Sequence, residues 1–305
     1  MPETNYLPPN INDGRFFISP ILGCSAGCSY CYLEIKDYTY PRKNEVSLDE
    51  CKSFAYENPQ FVWGKDGTII SVGAWGDIFL LNKDDLIQYS ISFIKELLSW
   101  GNPVQIMSKN HLAEEYVKEI VYSVQYPRQL LYSTTITTIN TWKEIEPKSS
   151  DPVERLQTCQ AFHVNGIPTN VLLKPFILGL TGQEIEAIAK LLLEYQIDFC
   201  TLGVMYWNDK ISKKALRNPL LSEILKSDIF SLPNHLDCNG DTLIASTQIT
   251  ALIPFVEYLR KNGIAAFLKS SCVNANILGT YNLSDYYKDN SQYCINCGNC
   301  DSKVN

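Results

Sequence analysis

Continuous apolar runs alternate along this chain with stretches whose apolar positions recur every three to four residues. The runs at 16–22, 68–73, 104–108, 130–136, 169–175 and 198–205 predict strands. The periodic stretches at 47–56, 84–100, 111–122, 152–165 and 182–195 predict the helices between them. Ser47 with Glu50 has the form of a capping box. Gly101-Asn102-Pro103 stops the second helix and Gly166 the fourth. Further on, 247–262 predicts a helix stopped by Gly263, and 265–269 a last strand. Strands this apolar, each followed by a helix, predict a parallel sheet covered by helices. Six repeats of the unit predict an α/β fold, a partial (β/α)6 TIM-like barrel with a C-terminal cysteine-rich extension. Three parts are expected: a barrel core over 1–206; an insertion with a final helix and strand packed on the barrel over 207–269; and a tail with its own metal cluster over 270–305. Chemistry in such barrels sits at the carboxyl ends of the strands.

Composition narrows the class. With 305 residues, 45% of them hydrophobic, the chain can bury a large core and is not a disordered one. Its 26 basic and 33 acidic residues leave a net charge of −7. That balance lacks the basic footprint of a general nucleic-acid binder, although a local basic groove is compatible with it. No apolar stretch approaches the length of a membrane span. The opening Met1-Pro2-Glu3-Thr4-Asn5 has no basic or apolar leader region. The expectation is a cytoplasmic protein with no membrane partner.

Cysteine carries the chemistry. Eleven cysteines, an odd number in a chain expected to stay reduced, argue against a disulfide framework. Six fall in two tight triplets. Cys24, Cys28 and Cys31 form a C-x3-C-x2-C loop directly after the first predicted strand. Three thiolates on one loop suit a [4Fe–4S] cube whose fourth iron takes an exogenous ligand. A zinc site there would want a fourth donor, and no histidine lies near.

This motif, after the first strand of a β/α barrel and with Tyr30 before its last cysteine, resembles that of the radical S-adenosylmethionine enzymes. The resemblance implies that the open iron chelates the amino and carboxylate groups of S-adenosylmethionine. An electron from the cluster then cleaves the sulfonium to methionine and a 5′-deoxyadenosyl radical, which abstracts hydrogen from a substrate. An external electron donor such as flavodoxin or ferredoxin is implied with it. After the second strand, Gly73-Ala74-Trp75-Gly76-Asp77 stands where many members carry Gly-Gly-Glu, so Gly73, Trp75 and Asp77 are expected near the methionyl ammonium. The series Ser108-Lys109-Asn110, 134–138, Glu146-Pro147, Arg155-Leu156, Gly166-Ile167-Pro168 and Leu173-Lys174-Pro175 is similar to the spore photoproduct lyase-like, or DNA-repair photolyase-like, branch. By that likeness Ser108 and Lys109 close the third strand and Lys109 meets the methionine carboxylate. Ser133 or Thr135 adds a hydroxyl to the same ligand. Arg155 contacts a carboxylate or ribose. Apart from that likeness, Tyr206, with Trp207 after the sixth strand, is a candidate to cover the adenine, to pack in the core or to dock the insertion. The resemblance spans roughly residues 15–205.

The second triplet is Cys294, Cys297 and Cys300, with Cys272 preceding it by 22 positions. Four thiolates would complete a second [4Fe–4S] cluster or hold a zinc; without Cys272 an iron would stay open. The tail resembles the auxiliary clusters of radical enzymes that modify peptides or small molecules. Of the scattered cysteines, Cys238 in a polar loop is a candidate hydrogen donor, whereas Cys51, Cys159 and Cys200 read as core. His111, His163 and His235 suggest no triad or metal site. The leading reading is a radical enzyme. Its substrate is a nucleic-acid lesion or modified nucleoside, or else a peptide or small metabolite. The non-enzymatic alternative is a zinc or iron–sulfur structural protein.

Overall fold

A computed structural model describes residues 5–12, 14–33, 38–226, 244–245 and 248–279. The chain opens with strands β1 (Asn10–Asn12), β2 (Arg15–Ile18), β3 (Ile21–Leu22) and β4 (Arg42–Lys43). Helix α1 (Leu48–Glu57), β5 (Ile69–Val72), α2 (Asp84–Ser99), β6 (Val104–Ser108), α3 (Glu114–Val121) and β7 (Leu130–Thr135) follow. Next come α4 (Trp142–Ile145), α5 (Pro152–His163), β8 (Thr169–Phe176), α6 (Ile185–Glu194) and β9 (Phe199–Val204). The remainder comprises β10 (Tyr206–Trp207), α7 (Asp209–Ala215), α8 (Pro219–Lys226), β11 (Ile244–Ala245), α9 (Ile253–Lys261), β12 (Ala265–Phe267) and α10 (Ser270–Leu278).

Eight strands form one sheet in the order β1-β2-β5-β6-β7-β8-β9-β12. β1 runs antiparallel to β2, and every other neighbouring pair is parallel. The sheet curls without closing: β1 and β12 are its two edges. The predicted alternation is therefore present, and the last strand joins the sheet itself, hydrogen-bonded to β9.

The local rules act where expected. Ser47 caps α1, accepting from the Glu50 amide while the Glu50 carboxylate accepts from the Ser47 amide. Asp151 and Glu154 repeat the device at α5. Amphipathic α2 buries Ile87, Ile91, Phe93, Ile94, Leu97 and Leu98 in the main core and Leu86 beside Ile21 and Leu80, each contributing about 1.5–3 kcal/mol of apolar transfer.

Three elements differ from the expected pattern. The first strand breaks at Ser19-Pro20, because proline brings no amide to the ladder. Ile21–Leu22 then leaves the sheet and pairs with Arg42–Lys43. The helix expected over 247–262 begins as a 3-10 turn, Ile249–Leu252, and becomes α-helical at Ile253, with Pro254 in its first turn. Residues 270–278, expected to begin the tail, form α10, whose Cys272, Val273 and Ile277 pack with Leu131 and Phe267 on the concave side of the sheet.

Above that apolar floor lies a polar layer. Ser71, Gln105, Ser133, Asn170 and Thr201 come from five consecutive strands and are all fully buried. Gln105 Nε2 donates to Ser133 Oγ (3.1 Å), and its Oε1 accepts from Asn274 Nδ2 (3.0 Å). Thr201 Oγ1 donates to Asn170 Oδ1 (3.1 Å). Such a network is stable in the interior because its members satisfy one another.

Candidate active site

The cysteine loop emerges from β3 at the carboxyl end of the sheet and is braced on several sides. Gly23 donates to the Trp75 carbonyl (2.8 Å) and forms an isolated bridge with Gly76, tying the loop to the segment after β5. Ser29 donates to the Ile145 carbonyl (2.8 Å), and Lys148 to the Ala26 carbonyl (3.2 Å). Asn218 Nδ2, between α7 and α8, donates to Ser29 Oγ (3.1 Å) and to the Glu144 carbonyl (2.8 Å). Ala26, Cys28 and Tyr30 pack in one apolar cluster with Ile211, Ala215, Leu221 and Leu225 of those two helices. Trp75 meets Tyr32 and Tyr38 edge-on, with ring centroids 5.8 and 6.2 Å apart.

The loop faces a cavity of about 670 Å³ at the carboxyl ends of the strands, a size ordinary for a small-molecule site. Cys24, Cys28, Cys31, Tyr30, Gly73, Asp77, Ser108, Lys109, Thr135 and Tyr206 all line it. All ten are residues that the sequence reading expected at the site, and they line this one cavity. Gly73 is required there. Its φ is +98°, and a Cβ would stand 2.8 Å from the Met107 carbonyl oxygen.

Lys109 is the electrostatic centre. Its Nζ donates to Tyr30 Oη (2.6 Å) and Glu146 Oε1 (3.0 Å) and lies 4.0 Å from Cys28 Sγ. Tyr30 Oη also donates to Glu146 Oε1. Glu146 is fully buried, and its Oε2 accepts from Arg155 Nη2 (2.6 Å). Burial works to raise the Glu146 pKa. The charges of Lys109 and Arg155, with hydrogen bonds from Tyr30 and Lys109, outweigh it and hold the carboxyl down at about 2. For Lys109, burial favours the neutral amine, but the acidic groups around it, of which Glu146 is the ionised one, raise its pKa and keep it protonated.

Asp77 serves as a clamp. Its Oδ1 accepts from Ser108 Oγ (2.5 Å) and the Phe79 amide (3.0 Å), and its Oδ2 from the Lys109 amide (2.8 Å). It thereby locks the segment after β5 to the end of β6, with one edge still on the cavity.

Four other expected residues stand elsewhere. Arg155 is fully buried behind the wall, donating to the Ser150 and Thr135 carbonyls, to Ser149 Oγ and to Glu146. A contact with a ligand in the cavity would break that set. Ser133 belongs to the polar layer below, where it accepts from Gln105 and Asn170. Trp75 props the cysteine loop from behind, and Cys272 sits in the apolar floor. Cys238, Cys294, Cys297 and Cys300 lie outside the described residues. Glu146 is the residue that sequence reading left without a role. Its signal was a lone acid before proline in a chain segment between β7 and α5, and only the fold shows it facing two cations.

Burial raises the Cys24 thiol strongly and pushes Cys28 up to about 12. Both are therefore protonated thiols until a cation displaces the proton. Among the described residues no three His, Cys, Asp or Glu side chains converge to metal-binding distances. The donor set nevertheless fits an iron–sulfur centre: three thiols on one loop, facing one cavity, with Ala26 donating its amide to Cys24 Sγ (3.3 Å).

No protein-family model matches the chain. No curated protein matches it either. Solved structures do. A spore photoproduct lyase mutant with dinucleoside spore photoproduct aligns with a TM-score of 0.62 at 15% identity, over 86% of this chain and 79% of that one. A double mutant of spore photoproduct lyase with bound AdoMet and dinucleoside spore photoproduct aligns at 0.60 and 14%, over 88% and 81%. The lyase complexed with dinucleoside spore photoproduct gives 0.59 and 15%, over 82% and 75%. The chain thus shares the open α/β barrel fold of the spore photoproduct lyase structures.

Proposed function

We propose that this protein is a radical S-adenosylmethionine enzyme, with Cys24, Cys28 and Cys31 holding a [4Fe–4S] cluster. The observation that carries the reading is the placing of all three thiols, with Lys109, Asp77 and Thr135, on the wall of a single cavity at the carboxyl ends of the strands. A cluster held there would supply the electron for cleavage of S-adenosylmethionine to methionine and a 5′-deoxyadenosyl radical. The chain's own residues bind and shield. Lys109 presents a fixed positive charge for the methionine carboxylate, and Glu146 behind it fixes the amine's direction. The backbone after β5, held by Gly73, offers carbonyl groups to the ammonium. The Thr135 hydroxyl adds a donor, and Tyr206 stands at the rim to cover the adenine. Ala26, Met107, Val204 and Met205 give the cavity apolar surface, which keeps water from an unselective radical.

The test is anaerobic reconstitution with iron and sulfide, reduction with dithionite and measurement of 5′-deoxyadenosine. The wild type yields it and the Cys28→Ala variant does not; equal yields from the two would overturn the reading. We assign an auxiliary centre to Cys294, Cys297 and Cys300 on their spacing. Cys272, 22 positions before Cys294, is the fourth thiol that would close that centre. About eight irons per chain is the expected content for two cubane clusters. Two zincs in a colourless anaerobic preparation would instead favour a structural protein. An external reductant such as flavodoxin or ferredoxin belongs to the same proposal.

A second reading, repair or modification of nucleic acid, is favoured by the shared fold. Oligonucleotide binding that weakens with rising salt tests it.

A further inference from the structure

Lys109 faces the cysteine loop as well as the cavity. Its ammonium carries three N–H donors. Two are taken by oxygen: Tyr30 Oη accepts at 2.6 Å and Glu146 Oε1 at 3.0 Å. The third contact is the sulfur of Cys28 at 4.0 Å, the longest of the three.

Both ends of the lysine are fixed. Its backbone amide donates to Asp77 Oδ2 (2.8 Å). Its amine is aimed by Glu146, which is fully buried and held in turn by Arg155 (2.6 Å). Tyr30 Oη is also tied to Thr137 Oγ1 (2.9 Å). The sulfur is placed by the same short segment, because the Ser29 amide, next to Cys28, donates to the Ile145 carbonyl (2.8 Å). Two consecutive residues, Ile145 and Glu146, thus set the ammonium and the sulfur against each other. Net charge on the wall has no part in this: Glu146 compensates the lysine and directs it in one contact.

We propose that Lys109 is a positioning residue for the iron–sulfur centre: its N–H to Cys28 Sγ raises the reduction potential of a cluster held by Cys24, Cys28 and Cys31. The inference rests on the reading of that loop as the cluster site. A donor at a cysteinyl sulfur stabilises the cluster more once it has gained an electron and the sulfur is more negative. Cys24 receives a donor of the same kind from the Ala26 amide (3.3 Å). That one belongs to the backbone, whereas the donor at Cys28 is a side chain and can be removed by substitution. A carboxylate entering the cavity competes with Cys28 for the same amine, so the contact is probed without S-adenosylmethionine.

The test uses the full chain, made with heavy-nitrogen lysine and reconstituted anaerobically with iron and sulfide. The signal followed is the one that Cys28→Ala abolishes. In the reduced wild type, electron–nuclear double resonance should show a lysine nitrogen coupled to the cluster, and in Lys109→Arg that coupling should be gone. Potentiometric titration followed by electron paramagnetic resonance should place Lys109→Met below wild type by about 59 mV, a tenfold shift of a one-electron equilibrium. Lys109→Arg, which keeps a charged donor, should recover most of the difference. Lys109→Met combined with Glu146→Gln removes one charge of each sign, and its potential should still lie below that of wild type. A wild type without lysine coupling overturns the proposal, as does coupling that persists in Lys109→Arg. A wild-type potential in folded, iron-loaded Lys109→Met, alone or with Glu146→Gln, overturns it too. 5′-Deoxyadenosine formation, measured in the same wild-type preparation after S-adenosylmethionine is added, separates the two claims. If it forms and no lysine is coupled, only this contact fails. If a lysine is coupled and none forms, only the radical reading fails. A chain that assembles no cluster overturns both.

Discussion

Lys109 Nζ lies 3.0 Å from Glu146 Oε1, and that carboxylate has no solvent exposure. The same carboxylate holds Arg155 through its other oxygen at 2.6 Å. One buried acid therefore fixes a cation on the cavity wall and anchors it to a second cation in the core. Taking ions out of water is costly, and the arrangement holds because each oxygen has its partner.

Removing the acid should be severe. Glu146→Gln leaves two buried cations without their counter-charge and is expected to destabilise the fold by about 3–5 kcal/mol. Denaturant unfolding of the variant against wild type measures this. A loss below about 1 kcal/mol would show that water reaches the pair.

The same group sets a pH dependence. The Glu146 carboxyl titrates at about 2 in the folded chain, against an ordinary value of 4.5. A depressed pKa contributes stability that is complete above the unfolded value and is lost as pH falls through the folded one. The advantage of wild type over Glu146→Gln should therefore be constant at neutral pH and shrink between pH 4.5 and about 2. Unfolding curves at a series of pH values check it; an advantage that grows with acidity would reverse the sign.

Much of this was legible in the chain, and the exceptions have physical causes. The β/α alternation, the caps at Ser47 and Asp151, and the stop at Gly101 are local signals, and local signals survive folding. That the cysteine loop and residues after β5, β6, β7 and β9 line one cavity follows from their positions at the carboxyl ends of the strands. Arg155 and Ser133 were misplaced because a sequence does not tell a polar side chain facing a cavity from one facing a buried acid or a buried amide layer. Glu146 was passed over for the same reason: its partners lie 37 positions upstream and nine downstream. The α10 helix was hidden because its apolar positions show little helical periodicity, being buried on several sides.

The polar layer offers an independent check of the barrel interior. Gln105→Leu removes the acceptor of Asn274 and the donor of Ser133, leaving buried groups unsatisfied. The expected cost is about 1–3 kcal/mol. Gln105→Glu tests the chemistry rather than the shape, and should cost more by burying a charge. Thermal unfolding of both variants reads the order.

Asn218 joins the inserted helices to the cysteine loop. Asn218→Ala should cost only about 1 kcal/mol globally, yet hydrogen exchange at the amides of Ser29 and Cys31 should quicken, since those bonds depend on the brace. Unchanged exchange there would show that α4 alone holds the loop.

That brace also orders events at the ribosome. Ser29 and Asn218 are 189 positions apart, so for most of translation the thiols at 24, 28 and 31 belong to a loop whose outer cover has not yet been made. A nascent chain halted before α7 would offer these sulfurs to oxygen and to stray metal ions alike. The wall that α7 and α8 build around Cys28 and Tyr30 is therefore completed only after residue 218 has been made.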